Sequence, residues 1–216
     1  MYTIYRIVPL VVLFLAGYFT ACNSKASTEP DDEQGEISKM ISDGWEKFSD
    51  QDYDGAISVF REAASKSMID EDQAKIRTGL GWSFAFRAKG KGLKDLDYLE
   101  SIVQFGKAMA LDTTYLDSYS GACLVYNVRN DYTNAVESGE MVITKQPEYE
   151  FKPVQNQESL IDSRHIRLAI AESAFYLGDY KKVVDHLDII DPDVSHSVTD
   201  PEGLLERISA VNSQLE

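Results

Sequence analysis

Few side chains in this 216-residue chain are arranged for covalent chemistry. The histidines, His165, His186 and His196, could hold a metal or move protons, but their spacings match no metal-ligand pattern. Each reads better as a solvated or hydrogen-bonded side chain. The run Lys89-Gly90-Lys91-Gly92 has the look of a phosphate loop, yet no Ser or Thr follows it and no strand precedes it. It reads instead as a loop that relieves strain between two helices. No Walker loop, GxGxxG, HExxH or CxxC pair is present. Carboxylates are so abundant, 36 in all, that pairs at acid–base spacing arise by chance. Cys123 lies in an apolar helical run and reads as a small buried residue. The chain is not expected to be an enzyme, and neither cofactor nor metal is expected. The side chains best suited to gripping a partner are the two tryptophans, Trp45 and Trp82.

The other cysteine, Cys22, has a distinctive setting. Residues 1–21 start with one positive charge, Arg6, and continue as the apolar run IVPLVVLFLAGYFTA. That is the pattern of a secretory signal and is short for a membrane span. It ends in Phe19-Thr20-Ala21-Cys22, which resembles the bacterial lipobox, with Phe19 where the family usually has Leu. The resemblance implies cleavage before Cys22, acyl chains on its sulfur, and a mature protein tethered to a membrane. Asn23, rather than Asp, after the cysteine leans towards the outer membrane. Residues 22–36 lack apolar periodicity and read as a flexible polar linker.

Composition narrows the partners. A formal charge of −15 argues against nucleic acid, whose binding depends on Lys and Arg neutralising phosphates. It argues equally against adhesion to anionic lipid heads. A hydrophobic fraction of 44% is enough for a real core.

The elements that would position any site are marked by one dipeptide. Asp-Tyr occurs at Asp52-Tyr53, Asp97-Tyr98, Asp131-Tyr132 and Asp179-Tyr180. Three residues after each Tyr stand Ala56, Ser101, Ala135 and Val183; four further on, Phe60, Phe105, Gly139 and Leu187; three more bring Ala63, Ala108, Val142 and Ile190. Spacings of three and four put these on one helical face. Small residues precede the pairs: Gly44, Gly81, Cys123 and Ala171. Each Asp suits the exposed N–H groups and positive dipole of a helix start. Each Tyr can lay its ring across the helix junction.

This pattern resembles the tetratricopeptide repeat, a helix–turn–helix unit of about 34 residues. Stretches such as DGWEKFSDQDYDGAISVFREA and AESAFYLGDYKKVVDHL carry the resemblance. It implies an all-α, right-handed solenoid over 37–216, with repeats at about 37–70, 74–112, 115–148 and 163–195. Insertions fall near 88–96 and at 148–162. Asp200-Pro201 opens a further amphipathic helix, about 201–215, expected to cap the array.

In that family the first helix of each repeat lines a concave groove. The resemblance therefore places Ile41, Trp45 and Phe48, then Thr78, Trp82 and Phe86, then Asp117, Leu124 and Asn127, then His165, Glu172 and Tyr176 on the groove. The alternative is that the aromatic rings pack between repeats. The expected function is a lipid-anchored envelope scaffold that binds another protein or a peptide without catalysis, as repeat lipoproteins do in outer-membrane assembly, secretion or cell-wall machinery. The rival readings are a periplasmic small-ligand binder and an accessory subunit of a peptidoglycan enzyme.

Overall fold

A computed structural model describes residues 30–91, 94–154 and 159–215, with side chains placed for 34–89, 96–154 and 159–215. The signal segment and Cys22 lie outside the described residues. The described chain is all-α apart from one short hairpin. Its helices are α1 (Pro30–Ser49), α2 (Tyr53–Lys66), α3 (Asp70–Lys91), α4 (Lys94–Leu111), α5 (Leu116–Val128), α6 (Tyr132–Lys145), α7 (Ser163–Leu177), α8 (Tyr180–Ile190) and α9 (Pro201–Leu215). Helix α1 starts inside the stretch read as linker, so 30–36 are helical. Pro30 followed by Asp-Asp-Glu is a helix-start pattern, with acidic residues at the positive end of the dipole.

Three of the four Asp-Tyr turns have one geometry. Asp52, Asp131 and Asp179 cap α2, α6 and α8, each at φ near −85° and ψ near 68°, accepting from the N–H of Gly55, Asn134 and Lys182. The residue before each is left-handed: Gln51 (φ 62°), Asn130 (φ 63°) and Gly178 (φ 77°). That residue turns the chain out of one helix, and the aspartate starts the next.

Asp97 departs from this reading and is not a cap. It lies inside α4, because α3 runs on to Lys91 and α4 already starts at Lys94. The 88–96 insertion thus lengthens both helices past the point where the other turns fall, and Lys89 and Lys91 are helical rather than looped. Buried Asp97 instead accepts two hydrogen bonds from Arg87 on α3, at 2.7 and 2.5 Å. Arg87 also reaches Asp54 at 2.9 Å and covers the Phe84 ring.

Each helix packs on the next in sequence. In addition α1 touches α3, α3 touches α5, α5 touches α7 and α7 touches α9, so the odd-numbered helices form one continuous layer. The even-numbered helices α2, α4, α6 and α8 pack on it through the repeated positions. Ala56, Ser101, Ala135, Val183, Phe60, Phe105, Leu187, Ala63, Ala108 and Val142 are all fully buried. Glycine makes the close approach possible. A Cβ on Gly44 or Gly79 would come within 2.7 or 2.4 Å of the Phe60 ring, and one on Gly81 or Gly121 within 2.5 or 2.2 Å of the Phe105 ring. Each of these phenylalanines is held between glycines of two successive odd helices. Helix α9 closes the far end, with Leu204, Ile208 and Val211 buried against Leu168, Ala171 and Ala174 of α7.

Candidate functional site

Trp45 and Trp82 both lie on the odd-numbered layer, but they do not face an open groove. They are 8% and 2% exposed, and the ring between them comes from the 148–162 insertion. Two short strands, β1 (Glu150–Phe151) and β2 (Ile161–Asp162), pair antiparallel with Phe151 opposite Ile161. Phe151 stacks on Trp82, centroids 4.8 Å apart and planes 12° apart, and meets Trp45 edge-on at 5.6 Å. The expected anchor surface is therefore occupied by the chain itself.

Polar contacts fix the hairpin in that position. Buried Tyr149 donates to Asp117 Oδ1 at 2.7 Å, and its hydroxyl lies 2.8 Å from Ser120 Oγ. The Trp82 indole N–H donates to the Asp117 carbonyl at 3.2 Å. Burial raises the Asp117 carboxyl above its ordinary value, against opposing hydrogen bonds from Tyr149 and Tyr115. Burial, reinforced by the neighbouring Asp117 charge, pushes the Tyr149 hydroxyl upward. Asp117 is thus the hairpin's anchor rather than a groove residue.

Beyond Phe151 the layer stays open. A cavity of about 370 Å³ is lined by Phe86 and Lys89 of α3, Asn127 of α5, Leu160 and Ile161 of the insertion, His165, Leu168, Ala169 and Glu172 of α7, and Asn212 and Leu215 of α9. Every wall is an odd-numbered helix or the insertion. Asn127 is oriented by donating to Ser173 Oγ at 3.1 Å and to the Ala169 carbonyl at 3.4 Å. His165 belongs to a capping box at the start of α7, its Nδ1 2.8 Å from Asp162 Oδ1. Burial tends to raise Asp162, but hydrogen bonds from Arg164 and His165 hold its carboxyl down at about 2.

Of the twelve groove candidates, Phe86, Asn127, His165 and Glu172 come together here. Leu124 lines an adjoining apolar recess of about 200 Å³ with Trp82, Phe86 and Lys89. Phe48 is buried, and Ile41 is half-buried against the same core. Thr78 is fully buried and donates to the Ala74 carbonyl one turn back, at 2.9 Å. Tyr176 is exposed and stacks on Tyr132 at 4.6 Å. Lys89, Asn212 and the insertion residues were not expected at the site. Tyr149 and Phe151 carried a signal, since aromatic residues two apart share one face of a strand. Lys89 carried none, because its reach depends on the extension of α3.

His186 lies 3.4 Å from Glu140, and His196 contacts Asp188 at 2.8 Å and Asp191 at 3.3 Å. Among the described residues no group of three or more His, Cys, Asp or Glu side chains is placed to hold a metal. Cys123 is buried, which pushes its thiol up to about 12. No described helix is long and apolar enough to cross a membrane. No protein-family model matches the chain, and no curated protein matches it.

Proposed function

We propose that this protein is a lipid-anchored bacterial envelope lipoprotein whose tetratricopeptide-like repeats bind a protein or peptide without catalysis. In this reading residues 1–21 are removed, Cys22 carries the acyl chains, and the tether holds the domain at the outer membrane's periplasmic side. Four helix pairs, α1/α2, α3/α4, α5/α6 and α7/α8, form a right-handed solenoid capped by α9. Support comes from the recurring left-handed-residue, capping-Asp, Tyr turn at three of the four junctions. The observation that carries the binding role is the cavity on the odd-numbered layer, which the insertion fills at one end and leaves open at the other. A rigid surface held at a membrane gains binding through effective concentration, with no chemical step required.

The test is a photo-cross-linking residue at Lys89, beside the cavity, or at exposed Val103 on α4, in intact envelopes. One protein captured from Lys89 but not from Val103 supports the reading. Equal capture, or none, removes the cavity from partner binding. Cys22→Ser is expected to free the protein from membranes in fractionation; retention with the signal removed contradicts the anchor. A second reading, a small-ligand binder, is favoured by the cavity's size, at the small end of the roughly 300–1,000 Å³ usual for such sites.

A further inference from the structure

The charges lining the cavity define what would fill it. Lys89 comes from α3 and Glu172 from α7, so opposite charges line one cavity from two helices. Neither makes an ion pair or hydrogen bond among the described residues. Lys89 is exposed, and elsewhere the half-buried Arg87, Lys182 and Arg207 are matched with Asp97, Glu140 and Asp191. Glu172 is half-buried beside Leu168 and Ala169, where a carboxylate loses hydration and gains most from a charged donor. His165 adds a third polar group. Its Nδ1 is taken up by Asp162, 2.8 Å from Oδ1 and 3.3 Å from the backbone N–H, which leaves Nε2 as its second polar atom. The remaining surface, from Phe86, Leu160, Leu168 and Leu215, is apolar.

We propose that the cavity binds an apolar amino acid or short peptide as its zwitterion, the ligand carboxylate meeting Lys89 and the ligand ammonium meeting Glu172. This rests on the small-ligand reading and names its ligand class. A lone lysine accompanied by a carboxylate disfavours phosphorylated or dicarboxylate ligands. One carboxylate and one imidazole are too few donors for a stable metal site. A zwitterion satisfies both charges at once, and an apolar side chain suits the walls. A cavity of about 370 Å³ suits an amino acid or dipeptide rather than a long segment.

The experiment is calorimetric titration of the full chain in detergent with Leu-Leu, N-acetyl-Leu-Leu, Leu-Leu-amide and free leucine. Leu-Leu is expected to bind, and loss of either terminal charge is expected to weaken binding about tenfold. In Lys89→Met the penalty for amidation is expected to vanish while that for acetylation remains. In Glu172→Gln the reverse is expected. Because each variant serves as its own reference across ligands, a general loss of stability does not imitate this pattern. Leucine binding as tightly as Leu-Leu identifies a free amino acid as the occupant; weaker leucine binding identifies a peptide. Penalties that persist in both variants, or no heat with any ligand at millimolar concentration, overturn the assignment. If Leu-Leu fails while the cross-linker at Lys89 captures an envelope protein, the protein-binding role stands and the zwitterion site falls. If both fail, the cavity is not a binding site.

Discussion

Phe151→Ala tests whether the insertion is an integral part of the fold. Phe151 is 2% exposed, stacked on one tryptophan and edge-on to the other. Burying an aromatic ring of about 150–250 Å² at about 25 cal/mol per Å² sets an upper bound of roughly 4–6 kcal/mol. Measured Phe→Ala losses in cores are about 3–5 kcal/mol. The lower end applies here, because a two-stranded hairpin relaxes more readily than a packed helix. A loss of about 3 kcal/mol lowers Tm by about 10 °C in a domain of this size. The assay is thermal unfolding by circular dichroism together with intrinsic fluorescence. The chain has only two tryptophans, and both touch Phe151, so emission is expected to shift red and acrylamide quenching to rise. If emission is unchanged and Tm falls by less than about 2 °C, the hairpin does not cover the tryptophans in solution and the anchor surface is open after all.

Three further outcomes follow from the packing and the charges. Gly121→Ala, whose Cβ would lie 2.2 Å from the Phe105 ring, is expected to destabilise by about 1–3 kcal/mol, whereas Gly106→Ala, in helix α4 with nothing within 4 Å, is expected to stabilise by about 0.5–1 kcal/mol; paired thermal melts decide this. Asp131→Ala removes a helix cap and is expected to cost about 1 kcal/mol, while Asp97→Ala removes the buried two-bond partner of Arg87, leaving it the exposed Asp54, and is expected to cost about 2–3 kcal/mol; equal losses in urea unfolding would refute the distinction between the two aspartates. The folded Asp162 carboxyl is held at about 2, below its unfolded value of about 3.9. Its contribution is therefore complete above about pH 4 and lost as pH falls towards 2, so Asp162→Asn is expected to flatten the fall of Tm across that window and leave the slope above it unchanged.

The helical positions were legible because the pattern that builds them is local. A capping aspartate, a small residue and an apolar face at spacings of three and four all act within one or two turns. Asp52, Asp131 and Asp179 follow that logic. Asp97 breaks it through a non-local cause: once α3 and α4 extend past the usual turn, the same dipeptide lies mid-helix and its carboxylate is free to pair with Arg87. The site was less legible for a related reason. Periodicity placed Trp45 and Trp82 on the shared layer but carried no information about what would lie across them. The answer depends on Phe151, roughly seventy or more residues later in the chain. Likewise, Asp117 has the position of a groove residue, and only the docked hairpin turns it into the acceptor for Tyr149.

The third junction shows what the repeated positions conserve physically. At the first two, the even helix supplies a phenylalanine and the flanking odd helices supply glycines. At the third, the even helix supplies Gly139, and its neighbours fill the space with Cys123 and Ile170; a Cβ on Gly139 would lie 2.9 Å from the Cys123 sulfur and 2.6 Å from Ile170. Cys123 and Ile170 are both fully buried. The large and small partners have changed sides, while the close helix approach remains. Dense interiors respond to total volume at a contact rather than to which helix provides it. Matched residue types therefore understate the likeness between the junctions. It also explains why a thiol lies in this core with no chemical role implied: Cys123 is a small filler opposite a glycine, its thiol kept protonated by the burial that makes it useful there.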